Sequence, residues 1–105
     1  ALAIAAPKRS YVLPNVPTFD ELNIPDVYAN NWYGVFAPKG TPSDIVTTLN
    51  GVLGKVLETP ELKAYAESTG VELSPTTPEA FAELVRDDTQ KWGNLIRAEG
   101  ITGDN

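Results

Sequence analysis

The sequence predicts an α/β fold: a small mixed sheet packed by three to four helices. Three observations predict it. The chain opens on a short apolar run, Leu2 to Ala6, and carries an aromatic and β-branched run, Asn30 to Ala37. Beyond residue 42, apolar residues recur at helical spacing. The chain has 105 residues, 42% of them hydrophobic and 21% charged, the composition of a soluble globular protein. At 11.3 kDa a folded monomer exposes about 5,700 Å², against about 16,000 Å² for the unfolded chain. That burial suffices for one core, so residues 1–105 read as a single domain: 1–29 a strand and proline-rich loop, 30–105 a strand and helices.

The elements follow in order. Leu2 to Ala6 reads as a buried strand cut off from whatever preceded it, and methionine is absent from the chain. The six residues Ala1 to Ala6 are too few for a signal peptide or a membrane span, so the chain reads as part of a larger protein. Pro7, Pro14, Pro17 and Pro25 make residues 7–29 loop, with at most one short helix at Thr18 to Leu22. Asn30 to Ala37, closed by Pro38, reads as a strand. Thr41-Pro42, Thr59-Pro60 and Thr77-Pro78 each place a hydroxyl at a helix N-cap and proline at the first helical position. From the first, Ile45, Val46, Leu49, Val52, Leu53, Val56 and Leu57 form one apolar stripe over about 42–57. A second helix spans Glu61 to Ser68 and stops at Gly70. Val71-Glu72-Leu73 alternates like a short strand. The last helix follows Thr77, carries Phe81, Leu84, Val85, Trp92, Leu95 and Ile96 on one face, and ends at Gly100.

Chemistry is excluded more readily than assigned. Cysteine and histidine are absent, which removes thiol, disulfide, imidazole-base and zinc-site chemistry. The net charge of −6 argues against nucleic acid as a partner. Glu83, Asp87 and Asp88 could be read as a metal or acid–base cluster, but they fall on a helix, and a solvated face accounts for them. Ser10, Ser43, Ser68 and Ser74 lack a base, and the glycines do not fall at nucleotide-loop spacing. The expectation is no catalysis, no cofactor and no metal. Trp32, Tyr33 and Phe36 could stack on a ligand. In the loop Leu13 to Thr18, two prolines hold the backbone in shape. Thr18 then presents a hydroxyl and N–H groups at a helix start, where carboxylates bind. Structural capping explains that loop as well as binding does.

Several segments together resemble one family. They are Leu13-Pro14-Asn15-Val16-Pro17-Thr18-Phe19 with Glu21, then Trp32-Tyr33-Gly34-Val35-Phe36-Ala37-Pro38-Lys39-Gly40-Thr41-Pro42, and the closing Trp92, Ile96 and Gly100-Ile101. In order and with compatible spacing, they resemble the C-terminal third of the Bug-type periplasmic solute-binding proteins, the receptors of tripartite tricarboxylate transporters. Asn15 stands where that family usually has aspartate. The resemblance implies a two-lobed periplasmic-binding-protein architecture of type 2, which closes by hinge bending around a small carboxylate. It implies a dicarboxylate, tricarboxylate, amino acid or aromatic acid as solute, held through backbone amides and water, with membrane permease subunits as possible partners. Pro17, Thr18 and Trp32 become the candidate ligand-binding residues. The family's glycine-rich N-terminal loop and most of the other lobe are absent from these 105 residues, and the cut strand edge invites self-association. The competing reading is a stand-alone helical interaction module docking through the 42–57 stripe. A hydrolytic or metal-dependent enzyme built on Asp87 or Asp88 is a distant third.

Overall fold

Local sequence signals form the helices of the computed structural model, which describes residues 1–103. Helix α1 spans Ser43–Leu57, α2 spans Pro60–Thr69 and α3 spans Pro78–Ala98, preceded by one 3-10 turn at Asp20–Leu22. Helix α3 has the most complete punctuation. The Thr77 hydroxyl oxygen accepts the Ala80 N–H at 3.1 Å, with Pro78 at the first helical position. At its end the Gly100 N–H donates to the Arg97 carbonyl and the Ile101 N–H to the Ile96 carbonyl. These two bonds make a Schellman motif, which needs the left-handed φ of 62° that Gly100 supplies. Helix α2 stops in the simpler way, with Gly70 at φ 74° donating its N–H to the Ala66 carbonyl at 2.9 Å.

The three Thr-Pro pairs are not equivalent. Thr77 caps as the sequence predicts. Helix α1 begins one residue late, with Pro42 in the cap position and no side-chain cap. The Thr59 hydroxyl points back and donates to the Val56 carbonyl at 2.7 Å, closing the end of α1.

The α/β expectation is overturned. The described chain is all-helical, with no strand and no sheet among the described residues. The pairing present is one isolated parallel bridge, Ile4 with Thr18. It is made by the Ile4 N–H to the Pro17 carbonyl and the Phe19 N–H to the Ile4 carbonyl. Asn30 to Ala37 has the residues of a strand but no ladder, and neither does Val71 to Leu73. Tyr33 is 91% exposed and Val35 73%. The physical reason is that β propensity measures fit to a packed, paired surface, and here no neighbouring strand supplies that surface.

The chain divides into two compact units. The first joins Ala1–Lys39 to Pro60–Leu73, and so contains the proline loop, the 3-10 turn and α2. Tyr11 secures it: its hydroxyl lies 2.7 Å from the Ala66 carbonyl oxygen and 3.0 Å from that of Val71, sharing its proton between them. The second joins Gly40–Thr59 to the chain from Ser74 onward, where α1 meets α3. There Asn50 donates from Nδ2 to the Thr76 carbonyl at 2.8 Å.

Burial is sparse. Ala66 is the one buried apolar residue among the described residues. On α1 the half-buried positions are Val46, Asn50, Gly54 and Leu57, at i, i+4, i+8 and i+11. The rest of the apolar stripe (Ile45, Leu49, Val52, Leu53 and Val56) lies exposed. The stripe expected to pack on a sheet has no sheet to meet.

Because the Thr77 side chain caps the start of α3, Thr77→Ala is expected to lower stability by about 1 kcal/mol. Urea unfolding followed by far-ultraviolet circular dichroism measures this as a drop in midpoint without a change in slope.

Candidate functional site

The proline loop of the first unit is where the sequence placed two of its three candidate ligand-binding residues. Its geometry is set by a side chain that the ligand argument left out. The Glu21 carboxylate receives the Arg9 guanidinium in a forked pair, from Nη2 at 2.6 Å and Nε at 2.9 Å. It also accepts the Thr18 backbone N–H at 2.9 Å, while the Thr18 hydroxyl oxygen accepts the Glu21 N–H at 3.2 Å. That reciprocal pair is the capping-box arrangement, built around a single 3-10 turn. Arg9 reaches further, donating from Nη1 to the Pro14 carbonyl at 3.0 Å. Pro14, Thr18 and Glu21 are thus drawn onto one guanidinium and one carboxylate.

Local backbone bonds finish the loop. The Leu13 N–H donates to the Ser10 carbonyl and the Val16 N–H to the Leu13 carbonyl. Beyond the turn, Asn23 takes a left-handed φ of 61° and donates its N–H to the Asp20 carbonyl at 3.0 Å. The Tyr28 hydroxyl donates to Asp20 at 2.5 Å, and this bond to a carboxylate raises the Tyr28 pKa above its ordinary value.

Thr18 is 2% exposed. Its N–H and hydroxyl oxygen are engaged by Glu21. Pro17 is half-buried, its carbonyl receiving the Ile4 N–H. Trp32 is half-buried in the same unit, while its neighbours Tyr33 and Phe36 are exposed. Glu83 and Asp87 lie exposed on α3, and Asp88 is half-buried there. No group of three or more carboxylates among the described residues could hold a metal ion. Two organising residues were missed, and one of them, Glu21, had a readable signal in the Thr18-x-x-Glu21 spacing. Arg9 lies 12 positions from Glu21 and had none.

The comparisons with known proteins bear on the whole chain. The profile of the tripartite tricarboxylate transporter family receptors matches residues 1–101. The chain belongs to this receptor family. It is 35% identical over 97 residues to the "UPF0065 protein in tcbD-tcbE intergenic region" of Pseudomonas sp. (strain P51), covering 91% of this chain and 29% of that protein. It is 33% identical over 100 residues to BugT of Bordetella pertussis, covering 95% of this chain and 31% of that protein. A third relative, from Agrobacterium vitis, is 30% identical over 103 residues, covering 95% of this chain and 30% of the relative. The chain therefore spans about a third of the length of these relatives. Receptors of the family are periplasmic and work with the components of tripartite transporters; theirs is a binding family. No helix of the described residues is long and apolar enough to cross a membrane.

Arg9 first, then the Thr18 N–H, holds the Glu21 carboxyl down at about 2, against an ordinary 4.5. A carboxyl depressed in the folded state contributes stability that is complete above its ordinary range and lost as the pH falls through that range toward 2. The stability difference between the native chain and Glu21→Gln is therefore expected to be constant near neutrality and to shrink as the pH drops from about 4.5 toward 2. Urea midpoints across that range measure it, and a difference that stays flat over the range contradicts the assignment.

Proposed function

We propose that this chain forms part of a periplasmic receptor for a small carboxylate, which delivers its solute to membrane permease subunits of a tripartite transporter. The observation that carries the reading is the family match over residues 1–101. The solute class is a dicarboxylate, a tricarboxylate, an amino acid or an aromatic acid, bound as the family-length protein closes about a hinge. The chain carries a net charge of −6, and Arg9, one of two cations in the proline-rich segment beside Lys8, is already committed to Glu21. An anionic solute is then better met by backbone N–H groups and water than by side-chain charge. In this reading Pro17 and Trp32 offer contact surface, and Thr18 keeps the loop in position.

The reading extends to domain organisation. The chain supplies the C-terminal portion of the receptor, and the remaining two thirds of a family-length polypeptide covers apolar surface that these residues leave open. The exposed stripe on α1 supports this proposal. The same stripe is the observation favouring the second reading, a helical interaction module. The two differ in what covers Leu49 and Leu53. In the receptor they are covered within the family-length polypeptide; in a docking module they stay open until a separate protein binds.

Thermal unfolding with a panel of the four solute classes tests the receptor reading. The family-length protein containing these residues is expected to gain stability with one class, by about 2.7 kcal/mol at a hundredfold excess over Kd. Trp32→Ala is expected to weaken that gain. No shift with any member of the panel counts against a carboxylate receptor.

A further inference from the structure

Position 50 joins two features that the receptor reading does not use. Asn50 is followed by Gly51, and its side-chain amide is the donor that ties α1 to the segment entering α3, through the Thr76 carbonyl at 2.8 Å. An asparagine followed by glycine is the arrangement most open to attack by the next backbone nitrogen, because glycine places no Cβ in the way. We propose that Asn50 is a self-modification site, gated by the opening of α1, whose conversion releases α1 from the segment that leads into α3.

The step balances without an oxidant or reductant. The Gly51 backbone nitrogen bonds to Cγ of Asn50, the Cγ–Nδ2 bond breaks, and Nδ2 leaves as ammonia with the Gly51 proton. Water then opens the five-membered imide at one of its two carbonyls. One product is aspartate; the other is its isomer, with the backbone running through Cβ and Cγ.

Helical geometry holds the reaction back. With ψ near −42° the following nitrogen is turned away from Cγ, so attack requires the helix to open around residues 50 and 51. Opening is cheap here. Helix α1 has no buried residue, and Gly51 and Gly54 both lie within it. Glycine costs about 1 kcal/mol per position relative to alanine in a helix, and segments with little burial open first. The consequence is directional. Aspartate at position 50 places an acceptor against the Thr76 carbonyl, also an acceptor, and adds one negative charge. The isomer also inserts a backbone carbon into α1. Conversion is thus a one-way record of helix opening.

Tryptic digestion gives the test a clean reporter. Cleavage after Lys39 and Lys55 releases the peptide Gly40–Lys55, in which Asn50 is the sole asparagine. Incubation at neutral pH, folded and in concentrated urea, followed by mass spectrometry of that peptide, is expected to show conversion at least tenfold slower in the folded chain. Tenfold corresponds to about 1.4 kcal/mol of opening free energy. Gly51→Ala, where an added Cβ meets nothing within 4 Å, is expected to suppress conversion in both conditions. Asn50→Asp is expected to lose amide-exchange protection along α1. Equal rates in the two conditions, undiminished conversion in Gly51→Ala, or unchanged exchange in Asn50→Asp overturns the proposal.

Discussion

One exposed carboxylate shapes the first unit. Glu21 collects the forked Arg9 guanidinium and the Thr18 N–H, and Arg9 in turn holds the Pro14 carbonyl. Surface ion pairs taken singly contribute little, because water screens them and two long side chains must be held still. This one differs in geometry and company. It is forked, it shares its carboxylate with a backbone amide, and it spans a loop in which Pro14 and Pro17 already restrict the unfolded chain. The Ile4–Thr18 bridge then fixes the opening segment to the same point. Polar bonds thus give the loop a defined shape in a unit whose buried apolar content is a single alanine.

Scarce burial is the other constraint. Local signals mark the ends of α2 and α3, but such signals decide where a helix begins and ends, not what it packs on. Helix α1 turns Asn50 and Gly54 toward partial burial and leaves Leu49, Val52 and Val56 in solvent. A helix with an open apolar stripe is poorly held by its own unit. This agrees with a chain that spans 29% and 31% of two relatives, and with the proposal that more polypeptide supplies the cover. It also explains why Asn50 matters. Where few apolar contacts hold α1 to the segment before α3, one side-chain amide carries a larger part of the connection.

Helix ends were legible in the sequence because their causes are local. Thr77-Pro78, Gly70 and Gly100 each act within five residues; α3 starts and stops, and α2 stops, as they direct. The family was legible for a different reason, since Leu13 to Glu21 and Trp32 to Pro42 keep order and spacing along the chain. The sheet was misread because pairing is not local. Leu2 to Ala6 and Asn30 to Ala37 have strand composition, but composition cannot say whether a neighbour lies beside them. Thr18 stood out in the sequence as a helix-start hydroxyl; the structure shows its N–H and hydroxyl oxygen engaged by Glu21. Arg9 was invisible as an organiser, because no periodicity links it to Glu21.

Amide exchange at Thr18 tests the central role of Glu21 most directly. Its N–H donates to the Glu21 carboxylate, and the residue is almost fully buried. In the native chain that amide is expected to exchange slowly. In Glu21→Ala it is expected to exchange at the rate of an open loop, together with the Ile4 and Phe19 amides that bridge to the same point. Exchange at Thr18 that is unchanged in Glu21→Ala would show that the loop keeps its shape without the carboxylate, and would contradict the account.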